Sequence, residues 1–334
     1  MISVLDNDLV IISGQGFRVE EVTDWGEYGL SYSLAWSAAF NRKGYENRLK
    51  WLIGCRHNKT YVLIDRDGKI AAGYSMLKTK AKYKNSLLIA GICNNVFCRP
   101  EYQGLNLFVR IGRLALDRLS SKIDIAYGVP NKEALPGHKR VGWRLCNPIK
   151  EVLIGDINDM NRNESGSNIE FEKIESLKKD NNNTVFKMAS ELSIVGVGTS
   201  DYIYIYKSEG FYKWRFLERP KTIDREYFVC SYKTAVMFLS FYKPTCNLCI
   251  LDSQWENVRE AEKLIRYVYS QSAKNGARNL KYLENERMKA LQESCELGEI
   301  KIREERAMII RDMKTCVKDK GINVDLSFSD NDVY

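Results

Sequence analysis

The run VFCRPEYQGLNLFVRIGRLAL, residues 96–116, decides how the chain is read, because strand, turn and helix follow one another within it. Val96 and Phe97 close an apolar run that begins at Leu87. Arg99 and Pro100 stop that run, Gln103 and Gly104 make a turn, and Phe108, Ile111, Leu114, Ala115 and Leu119 then recur at helical spacing. A tight loop leading into a helix start offers backbone N–H groups and the positive end of the helix dipole, which suit a pyrophosphate. A strand, turn and helix with one Gly in the turn is nevertheless common, so this layout alone assigns no ligand.

Upstream, Ser31–Phe40 and Tyr45–Cys55 carry helical apolar spacing. Tyr61–Ile64 and Ile70–Met76 are β-rich and are separated by Asp65, Arg66, Asp67 and Gly68, the composition of a tight turn between paired strands. Leu87–Phe97 reads as a third strand. Gly91 and the pair Asn94, Asn95 interrupt it, marking a bulge or a close ligand approach to the backbone. Downstream, Ile123–Val129 is a short apolar strand, and the polar interval Asn158–Ser167 reads as a surface linker or a hairpin decoration.

The second half repeats this order. It has a polar helix-like start at Phe171–Glu191, strands at Tyr227–Cys230, Ala235–Tyr242 and Leu248–Asp252, and a helix at Glu256–Ser272. A helix at Glu284–Cys295 and a strand at Ile300–Ile310 follow. The expected class is α/β (α+β): two tandem domains, 1–157 and 168–334, each a mixed, mostly antiparallel sheet flanked by helices.

With 334 residues, 44% hydrophobic and 28% charged, the chain can bury two cores and has no composition of disorder. Its opening residues lack a secretory leader pattern, and no window of about 20 uncharged apolar residues predicts a membrane span. Nine scattered cysteines fit a reducing compartment, so a cytoplasmic location is expected. The net charge of +8 is dispersed, with Lys78, Lys80, Lys82 and Lys84 alternating along a strand as a solvated face would. No nucleic-acid-binding motif accompanies it, so no nucleic-acid partner is expected. Cys246 and Cys249 form a C-x-x-C without a second pair, so no metal site is expected either.

The 96–116 run resembles the pyrophosphate-loop motif of the GNAT superfamily of CoA-dependent acyltransferases, Gln/Arg-x-x-Gly-x-Gly/Ala. Gln103 holds its first position and Gly104 the neighbouring one, while Asn106 and Phe108 stand where Gly or Ala is usual. The resemblance implies acyl-CoA as co-substrate, held by Gln103, Gly104, Leu105, Asn106, Leu107 and Phe108. It also implies the exposed backbone of Asn95, Val96 and Phe97, which would supply the oxyanion donor. Phe108 is then expected to point away from the phosphates. A second run, YGVPNKEALPGHKRVGW (residues 127–143), resembles the family segment Asn-x-x-Ala-x-x-x-Tyr-x-x-x-Gly-Phe, with Asn131, Ala134, Gly142 and Trp143 in register. That match implies that Asn131 helps hold the pantetheine arm. It places His138 where the family has the Tyr that protonates the departing thiolate, a role an imidazole titrating near neutrality can fill. The plainer alternative for His138 is a loop histidine after Gly137.

EGFYKWRFLERP, residues 209–220, resembles the Trp-Arg-x-x-x-x-Pro element of tandem-GNAT proteins from bacterial surface-polysaccharide clusters. It implies that Trp214 and Arg215 wall the acceptor site, against the alternative of a packed aromatic with its Arg neighbour. LDSQWENVREAEKL, residues 251–264, stands where a second loop would be and lacks its glycines, so a second CoA site is not expected. The function implied is direct transfer of an acyl group from acyl-CoA to the amine of a dTDP- or UDP-linked amino sugar for surface polysaccharide such as lipopolysaccharide O-antigen. The alternatives are another amine or a cell-wall precursor as acceptor, or a catalytically silent CoA-binding module. The sequence leaves the acyl chain, the sugar and the oligomeric state open.

Overall fold

A computed structural model describes residues 9–12, 15–155, 168–178, 184–194, 202–274, 276–295, 300–314 and 323–327. The expected linker Asn158–Ser167 lies outside them. The chain forms two units that interleave in sequence rather than meeting at one cut. Unit 1 takes Met1–Thr79, Leu88–Cys146 and Ala307–Lys320; unit 2 takes Lys80–Leu87, Asn147–Arg306 and Gly321–Tyr334.

Unit 1 runs β1 (Leu9–Ile12), β2 (Gln15–Glu21), α1 (Trp25–Phe40), α2 (Glu46–Ile53), β3 (Asn58–Ile64), β4 (Ile70–Tyr83) and β5 (Ser86–Cys98). α3 (Leu107–Leu119), β6 (Ile125–Gly128), α4 (Leu135–Val141) and β7 (Arg144–Leu145) follow. A strand from much later in the chain, Ile309–Asp312, inserts between β6 and β7, giving the order β1-β2-β3-β4-β5-β6-(309–312)-β7. The expected β3–β4 hairpin forms. Asp65 Oδ1 accepts from the N–H groups of Asp67 (2.9 Å) and Lys69 (2.8 Å), and Gly68 takes the left-handed φ of 78° that the turn requires.

Strand alternation sends neighbouring side chains of β3 to opposite faces, and each face has its own helical cover. Val62 and Ile64, with Ile70 and Phe97, pack against Tyr32, Ala35 and Trp36 of α1 and Leu49 and Ile53 of α2. Tyr61 and Leu63, with Tyr74 and Met76, pack against Ile111, Ala115 and Leu116 of α3 and against Val141 and Trp143.

Unit 2 contains β8 (Ile149–Ile154), β9 (Glu170–Lys173), α5 (Ile174–Leu177), α6 (Thr184–Leu192), β10 (Tyr202–Tyr206) and α7 (Glu209–Tyr212). It continues with a π-turn (Lys213–Leu217), β11 (Arg225–Tyr232), β12 (Ala235–Tyr242), β13 (Asn247–Trp255), α8 (Val258–Lys274), β14 (Asn279–Leu283), α9 (Glu286–Ser294) and β15 (Ile300–Arg306). Its sheet has the order β15-β8-β14-β13-β12-β11-β9. β10 pairs apart from it, with Asn323–Asp325 and with the β4 end Lys80–Tyr83. α8 buries Ala261, Leu264, Ile265 and Val268 with Met237 and Leu239 on one face. Phe238, between those two residues, points to the other face and stacks on Phe216 (4.4 Å) and Tyr212 (4.9 Å).

Both halves are therefore mixed α/β layers, each a sheet flanked by helices, as expected. Two sequence expectations change. Phe171–Glu191 is not one helix-like start but β9, α5 and α6, because Phe171 and Lys173 enter an antiparallel ladder with β11 at the sheet edge. Ile300–Ile310 is not one strand. β15 pairs with β8 in unit 2, and after Ala307 and Met308 the chain joins β6 and β7 of unit 1.

Candidate active site

The site begins where two strands part. β5 and β6 pair in parallel at Ala90/Ile125, Gly91/Ala126 and Ile92/Tyr127, and there the ladder ends. Cys93 and Gly128 are still close, since a Cβ added at Gly128 would lie 3.3 Å from that of Cys93. β6 stops at Gly128 while β5 runs on to Cys98. Asn95 takes a left-handed φ of 46°, which breaks the pleat as a bulge does, and Asn94 Nδ2 donates back to the Ile92 carbonyl at 3.3 Å. Val96 is half-buried. Phe97 turns its ring to the α1 side, 5.3 Å from Tyr32 and against Gly73, so the backbone of Asn95–Phe97, rather than its side chains, borders the fork.

The loop after β5 leaves a helix start uncapped. Pro100–Tyr102 makes one 3₁₀ turn, Gln103 is extended and exposed, and Gly104 (φ 85°) and Asn106 (φ 60°) are both left-handed. Only Gly takes that φ at 104 without strain. Asn106 stands at the N-cap of α3, yet its side chain caps nothing; Oδ1 accepts instead from Arg140 of α4 at 3.2 Å. Arg140 is held in turn through its carbonyl, which accepts from Arg113 at 2.8 Å. A guanidinium thus stands beside the positive end of α3, and Arg110 lies one turn further with its Nε buried and unpartnered. Such a start attracts an anion. Tyr102 ties the loop to the β3–β4 turn by donating to Asp65, which accepts backbone N–H groups as well. Leu105 and Leu107 pack into the α3 core. Phe108 lies against Gly137 and edge-on to His138.

α4 carries the second motif. Asn131 Oδ1 accepts the Ala134 N–H at 2.8 Å, so this exposed side chain fixes the entry to α4 and leaves its Nδ2 for other partners. Gly142 ends the helix at φ 108°, its N–H donating to the carbonyls of His138 and Lys139, and Arg311 closes over it, donating to the Val141 carbonyl at 2.6 Å. His138 is not a loop histidine. It is 4% exposed within α4, edge-to-face with Phe108 (5.0 Å), Trp143 (5.7 Å) and Tyr74 (6.2 Å). Burial pushes its pKa down to about 4, so the ring is a neutral imidazole at neutral pH.

Asn95–Phe97, Gln103–Phe108, Asn131 and His138 all lie in unit 1, and of these Phe108 and His138 are in ring contact. Trp214 and Arg215 belong to unit 2. Arg215 is buried in the π-turn, and the half-buried Trp214 ring lies 5.9 Å from Phe211. Sequence reading did not single out Arg140 and Arg110 at this helix start. Arg140 sits inside the second motif, where only its side of α4 shows that it meets the loop. Among the described residues no His, Cys, Asp or Glu group is placed to hold a metal ion, and no helix is long and apolar enough to cross a membrane.

No protein-family model matches the chain, and no curated protein matches it by sequence. Solved structures do match. A GCN5-related N-acetyltransferase from Anabaena variabilis superposes with a TM-score of 0.67 at 13% identity, covering 90% of this chain and 74% of its own. One from Kribbella flavida gives 0.62 at 11%, covering 90% and 72%. A GCN5-related glucosamine N-acetyltransferase region of a fungal multi-domain GH3 β-N-acetylglucosaminidase gives 0.57 at 14%, covering 92% of this chain and 40% of that protein. The chain has the fold of the GCN5-related N-acetyltransferases.

Proposed function

We propose that the chain is a CoA-dependent N-acyltransferase, that unit 1 binds the acyl-CoA, and that the acceptor is the amine of a nucleotide-linked amino sugar. The observation that carries the CoA reading is the uncapped start of α3, with Gly104 and Asn106 both left-handed and Arg140 beside them. Loop N–H groups and a guanidinium are the partners a pyrophosphate needs. From the loop, an extended amide-bearing arm would run back along β5 past Phe97 to Asn95, adding to the strand where β6 no longer pairs with it.

The chemistry is direct transfer. A neutral amine attacks the thioester carbonyl, backbone N–H groups of the Asn95–Phe97 bulge receive the oxyanion, and the C–S bond breaks. Because burial keeps His138 neutral, its share in proton handling is one N–H and one lone pair rather than an imidazolium acid. Trp214 and Arg215 of unit 2 are the proposed acceptor contacts. The net charge of +8 suits a diphosphate-bearing acceptor, and the glucosamine-acetylating structural neighbour supports an amino sugar as its class.

Incubating the protein with acetyl-CoA and a panel of UDP- and dTDP-linked amino sugars, while following free thiol, tests this. Release above the no-acceptor background with at least one sugar is expected. Background release with all of them removes the sugar, and release with simple amines in its place shifts the acceptor class. For His138, the change to Ala should lower turnover more than CoA affinity.

A further inference from the structure

From Gln103 to Asn106 the loop before α3 has a backbone shape that needs support from outside. Gln103 is extended, Gly104 and Asn106 are both left-handed, and no side chain caps the helix start. A Cβ added at Gly104 would meet nothing within 4 Å, so that side of the loop is open. The support comes from other parts of unit 1. Before the 3₁₀ turn the Arg99 N–H donates to the Ala71 carbonyl of β4 at 2.9 Å, and beyond Gly104 the Arg140 guanidinium donates to Asn106. Between those two points the Tyr102 hydroxyl donates to Asp65, 37 residues earlier in the β3–β4 turn.

Both ends of this link are themselves fixed. Asp65 Oδ1 accepts the Asp67 and Lys69 N–H groups, which leaves Oδ2 to the phenol. The Tyr102 ring stands edge-on to the buried Phe17 of β2, with 6.1 Å between centroids. We propose that Tyr102 and Asp65 are positioning residues for the CoA pyrophosphate. Their hydrogen bond sets the Gln103–Asn106 backbone, before any ligand arrives, in the shape that presents its N–H groups. This rests on the reading that acyl-CoA binds in unit 1.

By its charge alone, a carboxylate one tyrosine away from an anion site works against binding, so its place there needs another reason. Preorganisation supplies one. Fixing the backbone of one residue costs about 1–2 kcal/mol, and a loop already held binds without losing that freedom again. The titration of the pair agrees with a standing link. Burial alone would raise the Asp65 pKa, but the Tyr102 hydrogen bond and the two backbone N–H groups hold the carboxyl below its ordinary value. Burial, together with the hydrogen bond to Asp65, pushes the Tyr102 phenol up to about 12, so it remains the donor. The pyrophosphate is remote from the C–S bond, so what the link contributes is equal in the ground and transition states. It belongs to CoA affinity and KM rather than to kcat.

Calorimetric titration of the full chain with CoA tests the link without knowledge of the acceptor. Tyr102→Phe keeps the ring on Phe17 and removes only the hydroxyl. It should weaken CoA binding about 5- to 10-fold and speed amide hydrogen exchange at Gln103–Leu107 in the ligand-free protein, while the melting temperature falls by no more than about 3 °C. Asp65→Ser retains an acceptor for the turn N–H groups but is too short to reach Tyr102. In that background the hydroxyl deletion should cost less than about 2-fold in CoA affinity, because its partner is already gone. In turnover with acetyl-CoA, Tyr102→Phe should raise KM and leave kcat within about 2-fold. CoA affinity or loop exchange unchanged by Tyr102→Phe, an equal loss with and without Asp65, or a loss confined to kcat overturns the proposal and leaves the CoA reading standing. Failure of wild type to bind CoA overturns that reading, and the proposal with it.

Discussion

Two parallel strand pairs in this chain part in the same way and meet opposite fates. In unit 1 the β5–β6 ladder ends at Ile92/Tyr127; in unit 2 the β13–β14 ladder ends at Cys249/Lys281, while β13 continues to Trp255. The second fork is occupied by the chain itself. Met288 of α9 is 2% exposed and accepts from Ser253 of β13, and Arg287 donates to the carbonyls of Trp255 (2.9 Å) and Leu192 (2.8 Å). On β13, Asp252 is paired with Lys207 at 3.0 Å and accepts from Tyr212 and Gln254. The helix after each strand shows the same contrast. The α8 start is capped by Asn257, whose Oδ1 accepts the Arg259 N–H at 2.9 Å, whereas the α3 start has no side-chain cap. One layer order thus leaves polar ends open for the proposed ligand in unit 1, and in unit 2 has them satisfied by side chains of the same chain.

The sharpest attempt to break this contrast is Asp252→Ala. It removes the carboxylate 3.0 Å from the buried Lys207 and should destabilise unit 2 by about 3–5 kcal/mol, read by denaturant unfolding, with CoA affinity unchanged at a temperature where the protein is folded. A loss of CoA affinity would show that the filled fork still serves the open one.

Next in size is an acid limb specific to unit 1. His138 has a folded pKa near 4 against about 6.5 unfolded, so its contribution is full above pH 6.5 and is lost as pH falls toward 4. The loss approaches about 3 kcal/mol below pH 4, and His138→Gln should flatten that part of the stability–pH curve. Gly104→Val puts a β-branched residue at a φ of 85° and should weaken CoA binding about 10- to 100-fold by calorimetry, at a strain of about 1–3 kcal/mol that also lowers the melting temperature. The smallest effect belongs to the capped helix. Asn257→Ala should cost about 1 kcal/mol of stability and leave CoA affinity alone. If the two helix starts responded alike, the contrast would fail.

Much of this was legible from local sequence. The Asp65–Gly68 turn, the apolar stripe of α3 and the strand Ala235–Tyr242 each follow from spacing and composition, and structure and sequence agree there within a few residues. The bulge was legible as well, since paired asparagines tolerate the left-handed backbone that Asn95 adopts. α4 was not, because a seven-residue helix with Gly137 inside it carries little helical signal of its own, Pro136 only marking its first turn, and its support is tertiary: the Phe108 ring on Gly137, with the Asn131–Ala134 turn leading in. The environment of His138 was hidden for the same reason. Its neighbours come from β4, α3 and the residue after Gly142, and only the fold brings them together.

The strand Ile309–Asp312 lies directly beside β6, on the side opposite β5, although about 180 residues of chain separate the two. During synthesis, β6 therefore emerges with one edge that nothing yet made can cover. Unit 1 has to wait until residues 309–312 are made before its sheet is complete, and a chain arrested before them would present that edge to other chains. The order in which ribosome and chaperone meet this protein is set less by its two units than by one four-residue strand that arrives late.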